Sequence, residues 1–270
     1  MYNSVQLGFR YLRYVAQASN GKGHGIHSPF VFEFTRRVLN DNTHDLLFDK
    51  IEMLRKQLLK DPTFLIVDDY GAGSVHAIGN ERRIADLTKY AAKPKKTAQL
   101  LFRIIKYFQP QRIIELGTSL GISAAYIAAA NPEATFSTIE GSADIARKAK
   151  SNLSLLGYNQ VDVINGTFDT VLPKLLENTV VDCVFIDGNH RYDATVGYFD
   201  QLLPKTHSGT ILIFDDIHWS KEMEKAWEKI KANPAVTCSI DLFFVGIIFF
   251  RHEIKMPQHF TIRYPYFGIC

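Results

Sequence analysis

Ile113-Ile114-Glu115-Leu116-Gly117-Thr118-Ser119-Leu120-Gly121-Ile122-Ser123 is the stretch that decides the fold. Its β-branched pair suits a buried strand, Gly117 and Gly121 permit a tight turn, and Ala124 to Ala130 propagate a helix. Unpaired amides at that helix start can face a ligand. A dinucleotide fingerprint needs G-x-G-x-x-G, whereas these glycines are spaced G-x-x-x-G behind a carboxylate. Glu115 repels a pyrophosphate and attracts a ligand that carries an ammonium group.

Downstream, Ala134 to Glu140 reads as a second strand, followed by Gly141. A carboxylate at the carboxyl end of such a strand can accept both hydroxyls of a ribose. A ligand with both an ammonium group and a ribose fits S-adenosylmethionine. Strand three is Val161 to Asn165 before Gly166, strand four is Val181 to Ile186 before Asp187, and strand five is Thr210 to Phe214 before Asp215-Asp216. Ser239 to Phe244 and Gly246 to Phe250 are joined too tightly for a helical crossover and read as an antiparallel pair closing the sheet edge. The expected fold is therefore α/β, a Rossmann-like doubly wound sheet with a terminal antiparallel strand pair, whose ligands sit at the strands' carboxyl ends.

Residues 1–94 read as a mainly helical N-terminal cap and substrate region, and 95–270 as the sheet domain. Phe30 to Leu39 begins after Pro29, and Leu46 to Leu59 stops before Asp61-Pro62. Val5, Leu7, Phe9, Leu12 and Val15 give a less regular helical pattern. Arg10, Arg13 and Lys22 all precede the first acid, Glu33, so this arm is basic and aromatic. It is expected to pack as a cap with a solvated basic face; the alternative is contact with an acidic substrate, a membrane surface or a partner. Phe64 to Ser74 superficially repeats the 113–123 pattern. The polar stretch Val75 to Arg83 after it cannot pack as a βαβ unit, so Asp68, Asp69 and its glycines are set aside as a decoy.

Apolar residues make up 46% of the chain, enough for a large core. The formal net charge of +3 is too mild to argue for nucleic acid. No run of about 18 apolar residues or secretory layout occurs, and Cys183, Cys238 and Cys270 lack metal or redox spacing. A cytoplasmic protein with no transmembrane segment is expected, its Cys183 a core residue.

Asp187, Asp215 and Asp216 end two strands that should be neighbours. Converging carboxylates repel, and Mg²⁺ or a similar divalent cation is the simplest resolution. The other reading has these acids holding cofactor or capping helices. His190, three residues past Asp187, is a candidate general base, and His218 and Trp219 are candidates to line the substrate mouth.

Glu115-Leu116-Gly117-Thr118-Ser119-Leu120-Gly121-Ile122-Ser123 resembles the first motif of class I S-adenosylmethionine-dependent methyltransferases, particularly the metal-dependent catechol-type O-methyltransferase branch. Phe185-Ile186-Asp187-Gly188-Asn189-His190 and Ile213-Phe214-Asp215-Asp216-Ile217 resemble its later motifs, and the resemblance spans about residues 95 to 252. It implies that Glu115 and Ser123, with the Gly117-Thr118-Ser119 and Gly121 turn, hold the methionine moiety. It further implies Glu140 and Gly141 at the ribose, Gly166, Thr167 and Phe168 on the adenine side, and Asp187, Asp215 and Asp216 around a magnesium-like ion. Two departures stand out: the catechol enzymes carry a lysine base where this chain has His190, and their N-terminal helices do not resemble residues 1–90.

The resulting expectation is metal-assisted methylation of a small-molecule hydroxyl, with Asp187 and His190 as catalytic residues and homodimer formation left open. A metal-independent class I methyltransferase acting on nitrogen, carbon or a carboxylate is one alternative. A non-catalytic cofactor-binding module is another, and a nucleotide-dependent oxidoreductase is the weakest. Asp187-Gly188-Asn189-His190 lacks the Asn/Asp-Pro-Pro-aromatic pattern of base-methylating enzymes, so nucleic acid is not the expected acceptor.

Overall fold

The computed structural model describes residues 1–19, 21–23, 25–68 and 80–265. The chain begins with α1 (Ser4–Gln17), α2 (Pro29–Phe34) running into a π-helical turn (Thr35–Leu39), and α3 (Leu46–Leu58). β1 (Phe64–Ile66), β2 (Glu81–Arg83), α4 (Ile84–Tyr90) and α5 (Lys95–Phe108) follow. Strands and helices then alternate: β3 (Arg112–Leu116), α6 (Ile122–Ala130), β4 (Thr135–Glu140), α7 (Ala143–Leu155), β5 (Asp162–Asn165) and α8 (Phe168–Leu176). β6 (Cys183–Ile186), α9 (Tyr192–Leu202), β7 (Ile211–Asp215), α10 (Lys221–Lys231), β8 (Cys238–Asp241), β9 (Val245–Phe249) and β10 (Gln258–Thr261) complete the chain. It divides into two compact units, Asn42–Glu177 and Met1–Asp41 with Asn178–Cys270.

In the 42–177 unit, β3, β4 and β5 run parallel, with Glu115 opposite Thr138 and Glu140 opposite Asn165. Every residue of α6 is buried, which its alanines allow by letting neighbours approach closely. Phe48 of α3 packs edge-on to Phe102 and tilted against Tyr126, whose hydroxyl donates to Glu52 at 2.9 Å. β1 and β2 form an antiparallel pair, Phe64 opposite Arg83. The 64–83 segment thus does not make a βαβ unit, but part of the polar stretch after it supplies a strand. Asp69 and the glycines of that segment lie outside the described residues.

In the other unit β6 and β7 are parallel neighbours, and β9 pairs antiparallel with both β7 and β8. The expected antiparallel pair is present as β8 and β9, but it does not close the edge: β10 adds parallel to β8. Gln258 to Thr261 is too short and polar to announce itself as a strand. Its His259 ring nitrogen Nδ1 meets the Ser239 hydroxyl at 2.8 Å across the pair. Trp227 of α10 covers β9 so closely that a Cβ on Gly246 would lie 2.7 Å from the indole.

α1 departs from expectation in which side it buries. Arg10, part exposed, ion-pairs with Glu224 of α10, while Tyr11 and Tyr14 pack on Phe243. The Tyr14 hydroxyl donates to the carbonyl of Ile262. Val5, Phe9 and Leu12 face outward.

Candidate functional site

The ligand half in the 42–177 unit is organised around Glu140, the last residue of β4. Ser119, held at φ 47° in the turn after β3, donates its backbone N–H to Glu140 Oε2 at 2.8 Å. Ser142 donates its N–H to Oε1 at 3.1 Å. From the end of β5, Gly166 N and the Asn165 side-chain amide both donate to the Glu140 carbonyl, at 3.0 and 2.9 Å. Asn165 also donates to the Gly141 carbonyl at 2.9 Å. Three strand ends are thereby tied to one acid. Burial raises the Glu140 carboxyl above its ordinary pKa, while the backbone N–H groups of Ser142, Ser119 and Gly141 pull it down. A carboxylate has about four lone-pair positions, so these N–H bonds leave room for a further donor from a ligand.

The glycines do what their spacing implied. Gly117 takes φ 107° and Gly121 φ 81°, left-handed conformations that other residues adopt only at a cost. Gly121 caps α6 with its N–H on Thr118 O at 2.9 Å, and Ser123 is buried in the first turn. Thr167 is the N-cap of α8 and Phe168 its first residue. Glu115 differs from the picture of an acid open to a ligand: it is fully buried, and Thr138 donates its hydroxyl to Oε2 at 2.6 Å. The Thr118 hydroxyl joins the same chain, 2.6 Å from that of Thr138. Sequence reasoning missed both this hydroxyl pair and a neighbour of Glu140. In β1, Ile66 accepts from the Ser142 hydroxyl at 3.0 Å and donates to Asp144 at 3.1 Å. The segment treated as a decoy therefore begins beside the Glu140 turn.

The acidic half lies in the other unit. Ile186 and Phe214 are register partners, so Asp187 and Asp215-Asp216 leave adjacent strands at the same end. Asp215 is buried, whereas Asp216 is only partly covered and adopts φ 54°. His190 Nε2 lies 3.8 Å from Asp187 Oδ1 and 3.9 Å from Asp216 Oδ2. These separations are beyond a hydrogen bond but within ion-pair reach once the imidazole is protonated. Trp219 covers the His190 ring, centroids 5.7 Å apart. Asn189, at φ 50°, turns the loop, and its amide donates to the Tyr198 hydroxyl at 3.2 Å.

Among the described residues no three His, Cys, Asp or Glu side chains are grouped to hold a metal ion. His218 is not beside His190 but in a separate network, its Nε2 2.8 Å from Asp241 and its Nδ1 3.2 Å from Glu224. Burial alone pushes this imidazole down, and the two carboxylates overcome it, holding its pKa up at about 9. Beside the His190 loop, Arg10, Asn189, Arg191, Tyr192, Lys221 and Lys225 are among the residues lining a cleft of about 1070 Å³. Cys183 is buried in β6, where desolvation pushes its thiol up to about 12, as befits an inert core residue.

A family profile described as a methyltransferase domain matches residues 114–217, a span running from β3 to the residue after Asp216. Within that span the chain is similar to a methyltransferase domain. Solved structures share its Rossmann-like fold. A Podospora anserina methyltransferase, PaMTH1, solved with SAH bound, is 17% identical with a TM-score of 0.56, covering 83% of this chain and 97% of its own. The O-methyltransferase TomG from Streptomyces achromogenes, involved in tomaymycin synthesis and solved with SAM, is 18% identical with a TM-score of 0.53, covering 82% and 95%. A Bacillus cereus O-methyltransferase in complex with SAH is 18% identical with a TM-score of 0.52, covering 78% and 93%. No curated protein sequence matches the chain. The matched span thus includes both the Glu140 turn and the His190 loop. Among the described residues no helix is long and apolar enough to cross a membrane.

Proposed function

We propose that this methyltransferase moves a methyl group from S-adenosylmethionine to a hydroxyl of a small-molecule acceptor, in the cytoplasm. The observation that carries the reading is the convergence of three strand ends on Glu140, which orients a carboxylate for a ribose diol beside the Ser119–Gly121 turn. The donor brings an electrophilic methyl on a sulfonium: the S–CH₃ bond breaks as O–CH₃ forms, and S-adenosylhomocysteine leaves.

This chain's residues supply position and proton transfer. Glu140, Gly141 and the Gly166–Phe168 segment hold the nucleoside, and the Gly117–Ser123 turn approaches the methionine part. Glu115 sets the Thr138 and Thr118 hydroxyls beneath that turn. His190 Nε2 takes the acceptor's hydroxyl proton, and Asp187 and Asp216 stabilise the imidazolium that results. The acceptor enters by the cleft beside Asn189 and Arg191. Residues 1–94 are read as a mainly helical acceptor-side region and 95–270 as the methyltransferase domain proper.

The deciding experiment is calorimetric titration with S-adenosylhomocysteine on wild type and Glu140→Ala, followed by methyl transfer to hydroxylated acceptors before and after exhaustive chelation. The expected result is binding by wild type only and turnover that survives chelation. Turnover abolished by chelation and restored by Mg²⁺ would return Asp187, Asp215 and Asp216 to the role of ligands.

A further inference from the structure

α1 carries its apolar stripe on the wrong side for a helix that only packs down on its own protein. Its inner face is fixed by polar and aromatic anchors: Tyr2 donates to Glu224 at 2.8 Å, Arg10 pairs with the same carboxylate, and Tyr11 and Tyr14 pack on Phe243. An Asn3 capping box closes its amino end, so the helix is a preset element and not a frayed arm. Val5, Phe9 and Leu12, at i, i+4 and i+7, form one outward stripe and are 67%, 70% and 64% exposed. Phe9 and Leu12 are large side chains that a protein ordinarily covers when they stand in a row.

Charge selects what covers them. Residues 1–32 contain Arg10, Arg13 and Lys22 and no Asp or Glu. Arg10 is turned inward, leaving Arg13, four residues from Phe9, at the border of the stripe. A second copy meeting this helix would find no carboxylate on it to answer Arg13. The three side chains also offer only roughly 350 Å², well below the about 800 Å² per partner of a stable protein interface. A lipid surface needs neither complementarity of shape nor that area. It accepts a shallow apolar stripe, and anionic headgroups answer the flanking arginine.

We propose that α1 docks the protein on an anionic lipid surface, with Val5, Phe9 and Leu12 entering the headgroup boundary and Arg13 at the phosphates. The test is co-sedimentation of the full chain with phosphatidylcholine vesicles, and with the same vesicles containing phosphatidylglycerol, with light scattering on the lipid-free protein. Wild type is expected to pellet with the phosphatidylglycerol vesicles and to be released by salt. Phe9→Gln with Leu12→Gln should cut that partition on the order of tenfold or more. Both side chains are exposed, so the double variant should keep the wild-type circular dichroism, and Arg13→Gln provides a second, milder reduction. Failure to pellet with either vesicle overturns the proposal, as does equal partition onto both. A wild-type dimer that the double variant turns into a monomer, with no vesicle binding, assigns the stripe to a second copy instead.

Discussion

His218→Gln should remove a defined pH dependence of stability. In the folded protein the imidazole bridges Asp241 and Glu224 and titrates at about 9, against an ordinary value of 6.5. Its side chain is about one-fifth exposed, as is that of Glu224, so solvent screening weakens the bridge only in part. A rise of that size corresponds to about 3 kcal/mol, at 1.36 kcal/mol per pH unit. Because the folded value is the higher one, this stability is fully present below about pH 6.5. It falls as the pH climbs through the window up to about 9, where the folded imidazole itself loses its proton. The chain's two tryptophans, Trp219 and Trp227, both lie in the same compact unit as His218. Tryptophan fluorescence in urea therefore reads the unfolding of that unit. Between pH 6.5 and 8.5 the wild-type unfolding free energy should drop by roughly 2 kcal/mol, and that of His218→Gln should stay nearly level. An equal slope in the two proteins, or a wild-type stability that rises with pH, would refute the assignment of the bridge.

Glu140→Ala should abolish measurable S-adenosylhomocysteine binding in calorimetry while leaving the far-ultraviolet spectrum unchanged; retained affinity would move the nucleoside site away from the β4 end. His190→Gln should lower kcat by roughly 10² to 10⁴ with cofactor affinity intact, read by single-turnover methyl transfer. A change confined to KM would make it a binding residue. Thr138→Val leaves the buried Glu115 carboxylate without its hydroxyl donor and should cost about 1–3 kcal/mol in urea unfolding.

The turns and strand ends around Glu140 were legible because their signals are local. Glycine spacing sets the turn, and a strand that ends in an acid places that acid at the carboxyl edge; Glu140, Gly121 and the Asp187 and Asp215 positions all follow from such runs. What escaped depends on distant partners. A helical stripe in residues 5–12 shows that α1 has an apolar side but not which side the core occupies. That is set by Glu224, 214 residues from Arg10, and by Phe243 and Ile262. The same holds for β10, whose partner β8 determines that so polar a segment pairs at all. The acidic half shows the limit most sharply. Sequence places three carboxylates at two neighbouring strand ends, and repulsion among them demands a cation, but the demand does not specify which. Left-handed turns at Asn189 and Asp216 set His190 Nε2 3.8 Å from Asp187 and 3.9 Å from Asp216, a grouping that strand patterns alone do not announce. His190 and Glu140 lie in different compact units, and for that reason substitution of His190 should reduce the chemical step and leave cofactor binding untouched.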